Sequence, residues 1–78
     1  MQIILNGTKK DFQNQISVAV LIKELGLDER KIAVERNREI VPKTEFNSLN
    51  LCEGDQIEIV HFIGGGMGTV ELKERHFD

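Results

Sequence analysis

The feature of the sequence that most constrains the fold is a single amphipathic helix with clear start and stop signals. Four apolar residues recur at i, i+3, i+4 and i+7 and share one helix face: Val18, Leu21, Ile22 and Leu25. Ser17 precedes this stripe as a helix N-cap, and Gly26 follows it as a left-handed stop. We therefore expect the apolar face of this helix to pack over the hydrophobic core.

Strand patterns lie on both sides of the helix. Before it, Asn6-Gly7 predicts a tight hairpin, because both central residues of such a turn need positive φ. After it, a short hairpin-like pair precedes a long final strand. The predicted strands span residues 1–5, 8–12, 32–35, 39–41 and 56–63. This order predicts a ββαββ domain of the α+β class, with the helix on one face of the sheet.

Composition excludes several classes of function. A chain of 78 residues with net charge −3 lacks the basic face that nucleic-acid binding requires. No apolar run approaches the roughly 20 residues of a membrane span, and no signal peptide opens the chain, so we expect a cytoplasmic protein. The single cysteine, Cys52, excludes an internal disulfide and a multi-cysteine zinc site, and we expect no metal. No catalytic triad, carboxylate pair or phosphate loop is evident, so we expect no enzyme.

The final strand leads directly into Gly64, Gly65 and Gly66, which we interpret as a flexible arm. Side chains alternate along a strand, so Val60 and Phe62 are predicted on the face that the helix leaves uncovered. Apolar groups beside such an arm predict a docking surface for a partner, although the tail that follows is an alternative cover for them.

Three segments of the chain resemble the ThiS family, the sulfur carriers of thiamine biosynthesis. These are residues 1–7 (MQIILNG), 34–42 (VERNREIVP) and 54–66 (GDQIEIVHFIGGG). The resemblance covers residues 1–66 and implies a ubiquitin-like β-grasp fold, in which a mixed sheet carries one helix on one face.

The resemblance also implies chemistry at the end of the glycine arm, with Gly66 as the residue that carries sulfur. A ThiF-like adenylating enzyme would use ATP to activate the Gly66 carboxylate, and a desulfurase system would supply sulfur for a thiocarboxylate. A ThiG-like thiazole synthase would then receive the sulfur. In this family the carrier is a protein cosubstrate with no bound cofactor.

The sequence departs from the family after Gly66, where residues 67–78 follow in peptide linkage. An amide cannot be adenylated as a carboxylate can. Three explanations are open: a propeptide removed by a peptidase, an extension foreign to the natural chain, or a paralogue without the carrier chemistry. We divide the chain into a carrier domain, 1–66, and a tail, 67–78, that is disordered, removed, or paired as an edge strand.

Cys52 and His61 are two reactive residue types, and two functions other than thiazole synthesis stay open. Cys52 is expected to be a buried or half-buried structural thiol, and His61 a structural histidine. A sulfur carrier for another product, such as molybdopterin or an amino acid, is one alternative. A β-grasp binding module in which the glycines act only as a tether is the other.

Overall fold

The structure, a computed structural model, describes residues 1–63 and 71–73, and for residues 62, 63 and 71–73 it describes the backbone alone. The strands and the helix follow one another as β1 (Gln2–Leu5), β2 (Thr8–Asp11), α1 (Val18–Glu24), β3 (Ile32–Arg36), β4 (Glu39–Ile40), β5 (Gln56–Ile63) and β6 (Glu71–Lys73). Short 3₁₀ turns occupy Glu29–Lys31 and Lys43–Glu45.

The strands form one mixed sheet in the order β2-β1-β5-β3-β4, with β6 paired to β5. The β1–β5 pair is parallel, and the other pairs are antiparallel. The last strand of the predicted domain, β5, is therefore the central strand. This architecture confirms the predicted α+β fold with a mixed sheet and one helix.

The start and stop signals predicted for α1 are confirmed. The Ser17 hydroxyl accepts a hydrogen bond from the Val20 amide at 3.2 Å, and this bond satisfies a first-turn donor. Gly26 adopts φ +72° just beyond the helix, as a left-handed stop requires. Val18, Leu21 and Ile22 are buried. Leu25, the last member of the stripe, is half-buried against the core.

The core lies between α1 and one face of the sheet. It contains Ile57 and Ile59 of β5, which are 1% and 0% exposed. Because neighbouring side chains in a strand point to opposite faces, Val60 and Glu58 lie on the other face, as predicted for Val60. Between α1 and β3, the Asp28 side chain caps the first 3₁₀ turn by accepting a hydrogen bond from the Arg30 amide.

None of the helices among residues 1–63 is long and apolar enough to span a membrane.

Candidate functional site

The predicted site residues lie at and beyond the end of β5. Val60 is half-buried, opposite Ala33 of β3. The backbone of Phe62 pairs with Leu72 of β6, so its position in the strand is given without its side chain. Gly64, Gly65 and Gly66 lie outside the described residues, and their roles stay predictions.

Strand β5 is held in place on its β1 side by an asparagine side chain. The backbone ladder between the two strands ends with the Asn6 amide donating to Ile57 O at 2.9 Å. Beyond that point, Asn6 Oδ1 accepts from Ile59 N at 2.9 Å and Asn6 Nδ2 donates to Ile59 O at 3.3 Å. The Asn6 side chain thus continues the pairing of β5 where β1 turns away.

The same residue forms the first hairpin turn. Asn6 and Gly7 have φ values of 47° and 85°, which confirms the turn with two positive φ angles predicted for Asn-Gly. Asparagine tolerates this region better than most residues with a side chain. Asn6 therefore combines a turn conformation with a side-chain bridge to the strand that leads to the glycines.

A buried carboxylate secures the other end of β5. Asp55 is 6% exposed, and its oxygens accept from Arg36 Nε at 2.9 Å, Asn37 Nδ2 at 3.2 Å and Cys52 N at 2.8 Å. These bonds tie the β3–β4 turn to the loop before β5. Arg36 therefore belongs to a structural ion pair with Asp55.

Cys52 is exposed, which corrects the expectation of a buried or half-buried thiol. The loop before β5 turns its side chain outward, and Arg36 Nη2 lies 3.5 Å from Sγ. The sequence did not predict a cation beside Cys52, because Arg36 and Cys52 are distant in sequence and come together only in the folded domain. His61 is half-buried on β5, and its role stays a prediction.

The sheet face without α1 carries a mixture of apolar and acidic side chains. We call this surface the open face and define it by the outward-pointing residues of β1, β3, β4 and β5: Ile4, Ala33, Glu35, Ile40, Glu58 and Val60. Ile40 is 60% exposed, and the other five residues are half-buried. The open face reaches the end of β5 at Val60, next to the predicted arm.

An open groove of about 500 Å³ crosses the open face near the start of β5. It is lined by Ile4, Gly7, Glu35, Arg38, Gln56, Ile57 and Glu58. Arg38 enters this lining from the β3–β4 turn, where it adopts a positive φ of 73°. The groove is thus continuous with the surface around Val60, and its lining combines apolar and charged residues.

Strand β6 lies along the last residues of β5. His61, Phe62 and Ile63 pair with Lys73, Leu72 and Glu71 in antiparallel register. Ile32 occupies the β3 side of His61, so β6 lies on the side where β1 has already ended. Residues 71–73 of the tail therefore pair as an edge strand, one of the arrangements that the sequence allowed. The division of the chain into 1–66 and 67–78 stays a prediction.

These features define the class of the protein as a ubiquitin-like β-grasp domain. Its central strand is the last strand before the glycines. A sequence profile described as the ThiS family matches residues 3–66. The chain belongs to the ThiS family, the sulfur carriers of thiamine biosynthesis.

Individual relatives agree with this assignment. The "Sulfur carrier protein ThiS" of Bacillus subtilis is 46% identical over 63 residues, which are 80% of this chain and 96% of that protein. The crystal structure of the thiamine biosynthesis protein ThiS from Geobacter metallireducens superposes with a TM-score of 0.74 at 26% identity. The match covers 85% of this chain and 100% of that one.

A second kind of relative is a larger protein. A thiazole synthase of Paramagnetospirillum magneticum is 48% identical over 66 residues, or 85% of this chain. A thiazole synthase of Magnetococcus marinus is 42% identical over the same length. The chain spans about a fifth of the length of each, since the matched residues are 20% of either protein. Thiazole synthases therefore carry ThiS-like segments.

Replacing Asn6 with Asp tests the side-chain bridge to β5. Aspartate keeps the size and the tolerance of positive φ, but it cannot donate to Ile59 O and places a carboxylate oxygen against that carbonyl. We expect Asn6→Asp to lower the free energy of unfolding by about 1–3 kcal/mol, measured by chemical denaturation. The exposed Asn47→Asp makes the same chemical change as a control. Equal midpoints for the two variants would contradict the role given to Asn6.

Proposed function

We propose that this chain carries sulfur on the terminal carboxylate of Gly66 and delivers it for thiazole synthesis. A ThiF-like enzyme joins a carboxylate oxygen to the α-phosphate of ATP and releases pyrophosphate. Sulfur at the sulfide level, supplied by a desulfurase system, then attacks the acyl carbon, displaces AMP and gives the thiocarboxylate. The carrier is the cosubstrate of these enzymes, needs no bound cofactor and works in the cytoplasm.

The observation that supports this proposal most strongly is where the family similarity ends. The ThiS profile matches residues 3–66, so its last matched position is Gly66. The central strand β5 ends at Ile63, three residues earlier. Three extended residues reach about 10 Å, enough to bring a chain end from the sheet into a partner's active site.

The proposal requires a free carboxylate at Gly66, so it includes removal of the tail by a peptidase. The Gly66–Met67 amide has no carboxylate oxygen to attack the α-phosphate of ATP. Removal of the tail would also free the edge of β5 that Glu71–Lys73 occupies. The working form is therefore residues 1–66.

Thiazole synthase is the sulfur acceptor that the relatives favour. ThiS-like segments at 48% and 42% identity occur within chains named thiazole synthase. This supports the thiazole of thiamine over molybdopterin or an amino acid as the product that receives the sulfur.

The carrier chemistry is tested by intact-mass spectrometry of two forms of the chain. Residues 1–66, incubated with ATP and the adenylating enzyme of the same organism, should gain one AMP. With a sulfur source added, they should end heavier by the difference between sulfur and oxygen. The full-length chain should gain neither mass, because its Gly66 carbonyl is an amide.

A chain ending at Gly64 is the matched control for this experiment. It retains β5, so it should fold while failing to react. Circular dichroism checks the fold of each form. If residues 1–66 stay unmodified although the same enzyme preparation adenylates another carrier protein, the proposed chemistry is wrong and the glycines are a tether.

We also propose that the partner docks on the open face around Val60 and Phe62, beside the arm. Val60→Asp would place a charge in an apolar interface, so it should weaken binding to the adenylating enzyme by about 2 kcal/mol or more. Phe62→Asp should act in the same direction. Val20→Asp is the control, because Val20 is 40% exposed on α1, on the other side of the sheet.

Titration calorimetry measures this effect, with circular dichroism to check that each variant folds. Unchanged affinity of a folded Val60→Asp variant would show that the partner does not dock on this part of the open face.

A further inference from the structure

The last residues of β5 have a different neighbour on the β1 side from the rest of the strand. Asn6 N donates to Ile57 O at 2.9 Å, and the Asn6 side chain bonds both backbone groups of Ile59. Backbone groups alternate in direction along a strand, so those of His61 and Ile63 point to this same side. There β1 has ended, and β6 pairs with the last three residues of β5. Strand β6 thus occupies the part of the edge that β1 and Asn6 do not reach.

The register of β5 with β6 determines which backbone groups meet. His61 lies opposite Lys73, and Ile63 lies opposite Glu71. In an antiparallel ladder, residues whose backbone groups face each other exchange both of their hydrogen bonds. These two pairs therefore engage the amides and carbonyls of His61 and Ile63 on this side. Because such a contact uses backbone groups, another extended segment can take the place of β6.

The proposed working form, residues 1–66, lacks β6. Its β5 edge at residues 61–63 then presents backbone donors and acceptors immediately before the glycines. A strand edge of this kind is a template for pairing with another chain. Since the adenylating enzyme must take up the arm that follows, its surface lies close to this edge in the complex.

From this register we infer that β6 is an autoinhibitory strand: it occupies the edge of β5 to which an extended segment of the adenylating enzyme pairs once the tail is removed. The inference rests on the proposed function in taking this enzyme as the partner and cleavage after Gly66 as the step that releases β6. The tail then opposes activation in two ways. It blocks the Gly66 carboxylate, and it reduces the fraction of molecules with an open β5 edge, which weakens binding in proportion.

The first test compares full-length chains, all of which retain the tail. Glu71→Pro/Lys73→Pro removes the two β6 amides that face β5 and leaves the net charge unchanged. Glu74→Pro/Arg75→Pro removes one acidic and one basic side chain just beyond β6 and is the matched control. Binding to the adenylating enzyme of the same organism is measured by calorimetry, and circular dichroism checks that each chain folds.

We expect Glu71→Pro/Lys73→Pro to bind about tenfold more tightly than the natural full-length chain, a change equivalent to about 1.4 kcal/mol. Loss of two hydrogen bonds from β6 shifts the chain to the form with an open edge, which is the form that binds. Glu74→Pro/Arg75→Pro should bind like the natural full-length chain. Residues 1–66 should bind at least as tightly as the Glu71→Pro/Lys73→Pro chain, because they also have the free carboxylate.

Hydrogen exchange of single amides, followed by NMR, tests the strand pairing itself. The amides of His61 and Ile63 should exchange slowly in the natural full-length chain and about tenfold faster or more in residues 1–66. Adding the enzyme to residues 1–66 should slow both amides again, because its segment replaces β6. The Val60 amide points to Ala33 of β3, so it is the control and should stay protected in every form.

Equal affinity of the two proline variants would overturn the inference, as would fast exchange at His61 and Ile63 in the full-length chain or in the complex. If residues 1–66 still become thiocarboxylated, the proposed function is left intact. Slow exchange of both amides in residues 1–66 without enzyme, together with a dimer in analytical ultracentrifugation, would make a second copy the occupant of the edge. Failure of residues 1–66 to bind the enzyme or to gain mass would reject the inference and the proposed function together.

Discussion

The pairing of β1 with β5 is the constraint on which the rest of the structure depends. It is the one parallel pair among the strands described, and it places β5 at the centre of the sheet. The backbone ladder is short, and the Asn6 side chain continues it to Ile59. Ile57 and Ile59 of this strand are core residues, so the same pairing positions part of the hydrophobic core. It also positions the end of β5, from which the chain continues to the glycines.

This arrangement connects stability to function. Asp55 secures the start of β5 through Arg36, Asn37 and the Cys52 amide. These bonds anchor the start of the strand, while the segment that the proposed chemistry uses follows its other end. The two faces of β5 also have different tasks. One buries isoleucines beneath α1, and the other presents the open face.

Much of the fold could be predicted because its signals are local. The Ser17 cap, the Gly26 stop and the Asn6-Gly7 turn each involve residues close together in the chain, and all three are confirmed. The fold class and the family assignment are confirmed as well. By contrast, the facing of Glu35 and Glu58 depends on the register of two strands distant in sequence. The Asp55–Arg36 pair and the exposure of Cys52 depend on how the loop before β5 meets the β3–β4 turn. No periodicity within one segment carries that information.

The central claim is that this protein works as a carrier with a free carboxylate at Gly66. The most direct measurement is the intact mass of the protein isolated from its own cells, under conditions in which thiamine is being made. The account predicts a chain that ends at Gly66, with a fraction heavier by the exchange of one oxygen for sulfur. A population that continues past Gly66 in every molecule, with no thiocarboxylate, would contradict it.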